Sequence, residues 1–127
     1  MKARLLSFVT AAALVAAISP AGAHHAFGAE FDANRPLTLK GTVVKWELIN
    51  PHSWIHIDVK GEDGSIKSWI LEGGAPGLQA REGLTSKSLK PGDEIMVKIN
   101  PLHSGAEGGS YQPAQVKFKD GRPVVVR

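Results

Sequence analysis

Two adjacent histidines, His24 and His25, follow the tripeptide Ala21-Gly22-Ala23, an Ala-x-Ala pattern of the kind that export peptidases cut. A cut after Ala23 would free an α-amine on His24. Amine and imidazole on one residue form a two-nitrogen chelate suited to a copper-like ion. The sequence holds three further histidines, His52, His56 and His103, and no cysteine. Neutral imidazole is the commonest transition-metal ligand, so a histidine-rich chain without thiolates points to nitrogen-based metal binding. The plain alternative for His24 and His25 is a loose terminal segment with two solvated rings.

The residues ahead of that pair have the anatomy of a secretory leader. Lys2 and Arg4 make a basic start, and an apolar run from Leu5 to Ile18 stops at Pro20. Residues 1–23 are therefore expected to be a signal peptide, residues 24–36 an N-terminal arm, and residues 37–127 a single domain of modest core. The 15 basic residues lose Lys2 and Arg4 with the leader and then nearly balance the 12 acidic ones. A near-neutral surface argues against a nucleic-acid partner, which needs a basic stripe to displace phosphate counterions. The lack of cysteine excludes a disulfide scaffold, a zinc-thiolate site and a lipidated cysteine. No apolar run after Ala23 approaches the roughly 20 residues of a membrane span. The expected address is the periplasm.

Strands dominate the rest. Leu37 to Leu48 is rich in β-branched and aromatic residues, with Gly41 suggesting a bend or bulge in a long first strand. Asn50-Pro51 breaks it. Trp54 to Val59 alternates strictly, with Ile55, Ile57 and Val59 on one face and Trp54, His56 and Asp58 on the other. A turn at Glu62 to Ser65 leads to a third strand, Ile66 to Glu72. Pro76 to Glu82 is expected to be a short helix ended by Gly83. Glu94 to Ile99 and Tyr111 to Lys119 read as strands, separated by a mobile glycine-rich loop from Ser104 to Ser110, and Val124 to Val126 as a short last strand. Three strands, a helix, then two or three strands define an all-β domain with one short helix: a small OB-like Greek-key β-barrel of five to six strands. An immunoglobulin-like sandwich would want about seven strands and no central helix.

On a strand, His52 and His56 stand about 13 Å apart, too far to chelate one ion directly. His56 reads as a strand-face residue beside Trp54 and Asp58. The chain also repeats itself: Ile49-Asn50-Pro51-His52-Ser53 returns as Ile99-Asn100-Pro101-Leu102-His103-Ser104, each at a strand end. The structural reading is an Asn-Pro stop, and the functional one is a histidine presented on the following loop. Those loops flank an OB ligand face from opposite ends, so one ion would not take both, but the arm could reach either. Gly-x-Ser-x-Gly, His-Glu-x-x-His and phosphate-cradling motifs are all missing, and Asp58 and Glu72 read as solvated strand carboxylates. Trp46, Trp54 and Trp69 read as core or rim packing before they read as a ligand groove.

His24-His25-Ala26-Phe27, Glu30-Phe31-Asp32, Gly41-Thr42-Val43, Asn50-Pro51-His52-Ser53-Trp54 and Leu89-Lys90-Pro91-Gly92-Asp93 together resemble a family of small exported bacterial proteins, domain of unknown function 6152. The resemblance covers nearly all of the chain after Ala23 and carries no activity with it. It implies that His24, His25 and His52 belong to the family's pattern, without doing the same for His56 or His103. His24 also looks like the N-terminal histidine of periplasmic copper carriers, whose sandwich fold and other motifs differ.

The expectation is a non-enzymatic periplasmic protein that carries or buffers a copper ion through His24, His25 and His52. Its rival is a metal-free module that uses the barrel face, with Trp54 and His56, to bind a small molecule or an envelope protein. A polysaccharide oxidase would need an extended aromatic platform that so small a domain lacks. Intact mass of the exported protein should correspond to a chain beginning at His24. A start downstream of His24 would remove the amine chelate.

Overall fold

The computed structural model describes residues 21–126, with side chains from residue 26 onward. The elements run α1 (Ala21–Glu30), β1 (Leu37–Ile49), β2 (His52–Lys60), β3 (Ile66–Gly73), α2 (Pro76–Arg81), β4 (Glu94–Pro101) and β5 (Gly108–Phe118). The strands form a closed barrel in the order β1-β2-β3-β5-β4, with α2 inserted between β3 and β4. This is OB topology, with the expected all-β character. Period-2 alternation builds the interior: Ile55 and Ile57 from β2, Leu71 from β3, Ile95, Val97 and Ile99 from β4 and Val116 from β5 are nearly inaccessible to solvent.

One long strand serves two neighbours. Leu37 to Thr42 of β1 pairs with β4, and Thr42 to Ile49 pairs with β2, so the strand must bend near its middle. Gly41 sits at that bend, where a Cβ would lie 2.8 Å from the Asp58 carbonyl oxygen. The bulge follows between Val43 and Lys45. On the other side, α2 starts with proline in its first turn and ends before Gly83, whose φ of +92° favours glycine. Beyond it, Leu84 and Leu89 enter the core.

Three segments depart from the sequence-based expectations. The arm is not wholly extended: α1 covers its first part, giving two short helices in place of one. Ala21, Ala23, Ala26 and Ala29 supply the helix propensity, with no β-branched residue to oppose it. The glycine-rich segment is not a mobile loop throughout, because Gly108, Gly109 and Ser110 are buried and begin β5. They close the barrel by pairing in parallel with Ile70, Leu71 and Glu72 of β3 while facing β4 on the other side. A Cβ on Gly109 would stand 2.7 Å from the Asn100 carbonyl oxygen and from Ile99 Cδ1. Finally, Val124 to Val126 is no sixth strand. Pro123 makes a single bridge to Lys117 and lacks the N–H a ladder needs, while Val124 is buried, Val125 packs partly against the core and Val126 is exposed.

Among the described residues no helix is long and apolar enough to cross a membrane. Gly109→Ala should lower unfolding stability by about 1–3 kcal/mol, since the added methyl meets backbone on a closed seam. Gly28→Ala, on α1 with open space around its Cα, should not. Urea titration of both variants decides the point.

Candidate functional site

Asn50-Pro51, joined by a cis peptide bond, ends β1, and β2 begins at once with His52. Alternation then turns Ser53, Ile55 and Ile57 inward, leaving His52, Trp54, His56 and Asp58 on the outer face of the barrel. The register pairs Trp54 with Glu72 and His56 with Ile70 on β3, and Trp54 with Glu47 on β1. Two histidine–glutamate pairs form diagonally across these ladders.

The first is His56 with Glu47. His56 Nε2 donates to Glu47 Oε2 at 2.8 Å, and Lys45 Nζ lies 2.6 Å from Glu47 Oε1. Hydrogen bonds from Lys45 and then His56 hold the Glu47 carboxyl below its ordinary pKa. His56 is thus a strand-face residue locked into a surface ion-pair group, as its position in the alternation implies.

The second pair is different in exposure and in which nitrogen it uses. His52 Nδ1 is 3.0 Å from Glu72 Oε1 and 3.3 Å from the Gly73 carbonyl oxygen. Carboxylate and carbonyl only accept, so Nδ1 carries the proton and the neutral ring keeps its lone pair on Nε2. The His52 side chain is 45% exposed. It lines a cleft of about 200 Å³ together with Phe27, Phe31, Glu72, Tyr111 and Gln112. Phe31 is buried, its ring centroid 5.0 Å from that of Phe27, so the end of α1 and the residue after it form one wall.

Of the sequence-predicted ligands, His52 lines this cleft. His24 and His25 fall within the backbone of α1, three and two residues before Phe27, and their side chains lie outside the described residues. Among the described residues no group of three or more histidine, aspartate or glutamate side chains is placed to hold a metal ion. Glu72, read from sequence as a solvated carboxylate, is instead the partner of His52. Its signal was the β2–β3 hairpin: the register that sets Lys60 opposite Ile66 also sets Trp54 opposite Glu72, one diagonal from His52.

Below the cleft lies a buried polar chain. Tyr111 Oη donates to Gln79 Oε1 at 3.0 Å, so Ser53 Oγ must be the donor in its 2.7 Å contact with Tyr111 Oη. All three residues are buried, and burial pushes the Tyr111 phenol well above its usual pKa despite the opposing Ser53 bond. The hydroxyl therefore stays protonated and ties α2 to β2 and β5. A larger groove, about 560 Å³, opens elsewhere beside Lys40, Asp58, Lys60 and Glu94. It contains no histidine, and Glu94 is already paired with Lys119 and Asp58 with Ser68.

Fold and cleft define a small OB-topology barrel whose N-terminal helix ends at a cleft bordered by β2, β3 and β5. The chain belongs to DUF6152, a family of unknown function, whose sequence profile matches residues 12–112. No curated protein and no solved structure matches it significantly.

Tyr111→Phe should leave Ser53 and Gln79 without their partner in a dry site. The expected cost is about 1–3 kcal/mol in denaturant unfolding. A loss below about 0.5 kcal/mol would mean that the chain of hydroxyl and amide is not holding α2.

Proposed function

We propose that the protein is exported to the periplasm, cut after Ala23, and binds a transition-metal ion, copper by preference, for carriage or buffering. The ligands are the His24 amine and imidazole with His52, and His25 stands beside them. The observation that carries the reading is the state of His52. A metal-binding histidine characteristically gives its second ring N–H to a carboxylate or carbonyl, which orients the ring and makes the other nitrogen more basic. His52 has both kinds of acceptor at Nδ1, Glu72 and Gly73, and presents Nε2.

Residues 24–30 of α1, which remain after the cut, support the rest of the ligand set. Helical rise is about 1.5 Å per residue, so His24 begins within about 5 Å, along the helix axis, of the Phe27 that lines the His52 cleft. The basic start and apolar run of residues 1–23 support export. The apolar interior, packed from strand residues of the whole barrel, supports a fold that stands without metal. A metal-free module remains the second reading. It is favoured by the cleft of about 210 Å³ where Phe31, Trp54, Ile70 and Leu102 meet on the β2–β3 face.

Copper(II) titration of the chain beginning at His24, read by tryptophan quenching, separates the two. Adding a residue ahead of His24 turns the amine into an amide, and this variant and His52→Ala should each lose affinity strongly. Glu72→Ala should lose about 10–100-fold through its hold on His52, while His56→Ala should bind like the parent. Zinc(II) should bind more weakly than copper(II) throughout. Equal copper affinity in all the variants would contradict the proposal and favour the metal-free module.

A further inference from the structure

His103, the histidine of the second Asn-Pro repeat, is tied to α1. Its Nε2 donates to the Gly28 carbonyl oxygen at 3.0 Å, and its backbone N–H donates to the Glu30 carbonyl oxygen, also at 3.0 Å. Gly28 and Glu30 lie in the last turn of α1, where carbonyls have no partner within the helix and the dipole favours a donor or cation. Asp32 stands behind the ring, with Oδ2 4.0 Å from His103 Nδ1, and is itself paired with Arg35.

We propose that His103 is a positioning residue: it clasps the last turn of α1 to the β4–β5 connection and so fixes where residues 24–27 stand over the His52 cleft. The division of labour follows from which contacts use side chains. Beyond residue 30 the segment is held by its own backbone and by one ring: Asp32 N–H donates to the Pro101 carbonyl, Phe31 bridges Leu102, and the Phe31 ring is buried. None of these needs the imidazole of His103. The imidazole bond reaches back to Gly28, one residue after the Phe27 that lines the cleft, and so governs the direction of the helix while Phe31 governs its attachment. The two Asn-Pro repeats thus meet one segment at two places: His52 shares a cleft with its Phe27 and Phe31, and His103 bonds its C-terminal turn.

For what it positions, the inference rests on the metal reading, but the clasp has its own readout. The experiment compares the His24-starting chain with His103→Ala and with His103→Gln, whose side-chain amide can still donate to Gly28. Amide hydrogen exchange reads α1 and the barrel separately, and copper(II) titration reads the site. In His103→Ala the α1 amides should exchange faster with the barrel amides unchanged. Copper affinity should fall roughly five- to tenfold, the loss of about one hydrogen bond of ordering. His103→Gln should restore both to within about twofold. Unchanged α1 exchange in His103→Ala overturns the clasp, and faster α1 exchange with unaltered copper affinity overturns its role at the site. If the parent chain ignores copper, the metal reading falls by itself, and α1 exchange that still depends on residue 103 upholds the clasp.

Discussion

The barrel closes through a seam of only three parallel pairs, Ile70, Leu71 and Glu72 with Gly108, Gly109 and Ser110, and the candidate site depends on that contact. A Cβ on Gly109 would press on the Asn100 backbone and Ile99 of β4, and one on Gly108 on Leu102, so any side chain there strains the seam. The same three positions of β3 end in Glu72, the partner of His52, and the next residue of β5 after the seam is Tyr111, which lies under the cleft. Gly73 completes the arrangement: its carbonyl faces His52, and a Cβ there would strike the Tyr111 ring. Barrel closure and histidine orientation are therefore one constraint, since moving the seam would move Glu72 and Gly73 together.

Much of this was legible in the sequence because alternation and turn residues are local signals. The bend at Gly41, the β2 faces, the hairpin at Asp63-Gly64 and the proline-started helix all follow from residues close together in the chain. What escaped depends on distant neighbours. Gly108 and Gly109 have the composition of a loose loop, and only the approach of β3 and β4 makes them seam residues. The Val124 to Val126 run has the composition of a strand, but it follows Pro123, and its neighbours Val124 and Val125 both pack on the core, which strand alternation does not allow. α1 was hidden because a short alanine-rich stretch that itself contains the cleavage pattern carries no hydrophobic period of its own.

The site divides in the same way. His52 was visible through the Asn50-Pro51 stop that presents it, whereas Glu72 needed the hairpin register and His103 needed the fold of the arm. The two histidine–glutamate pairs show why type and spacing alone do not settle a role. His56 spends Nε2 on a glutamate that also holds Lys45, which makes a compact surface ion-pair group of strand neighbours. His52 spends Nδ1 on Glu72 and the Gly73 carbonyl, and its ring lines a cleft walled by the arm's aromatic rings. The same two residue types yield a structural pair in one case and an oriented, available nitrogen in the other.

The proposed site turns on that nitrogen, and its protonation can be read directly. Long-range proton–nitrogen correlation spectra of the metal-free protein at neutral pH should show His52 as the tautomer protonated at Nδ1, with a lone pair on Nε2 that zinc or copper then perturbs. His56 should show the opposite tautomer. A His52 ring protonated at Nε2, or one averaging between the two forms, would mean that Glu72 and Gly73 do not orient it, and would contradict the central claim.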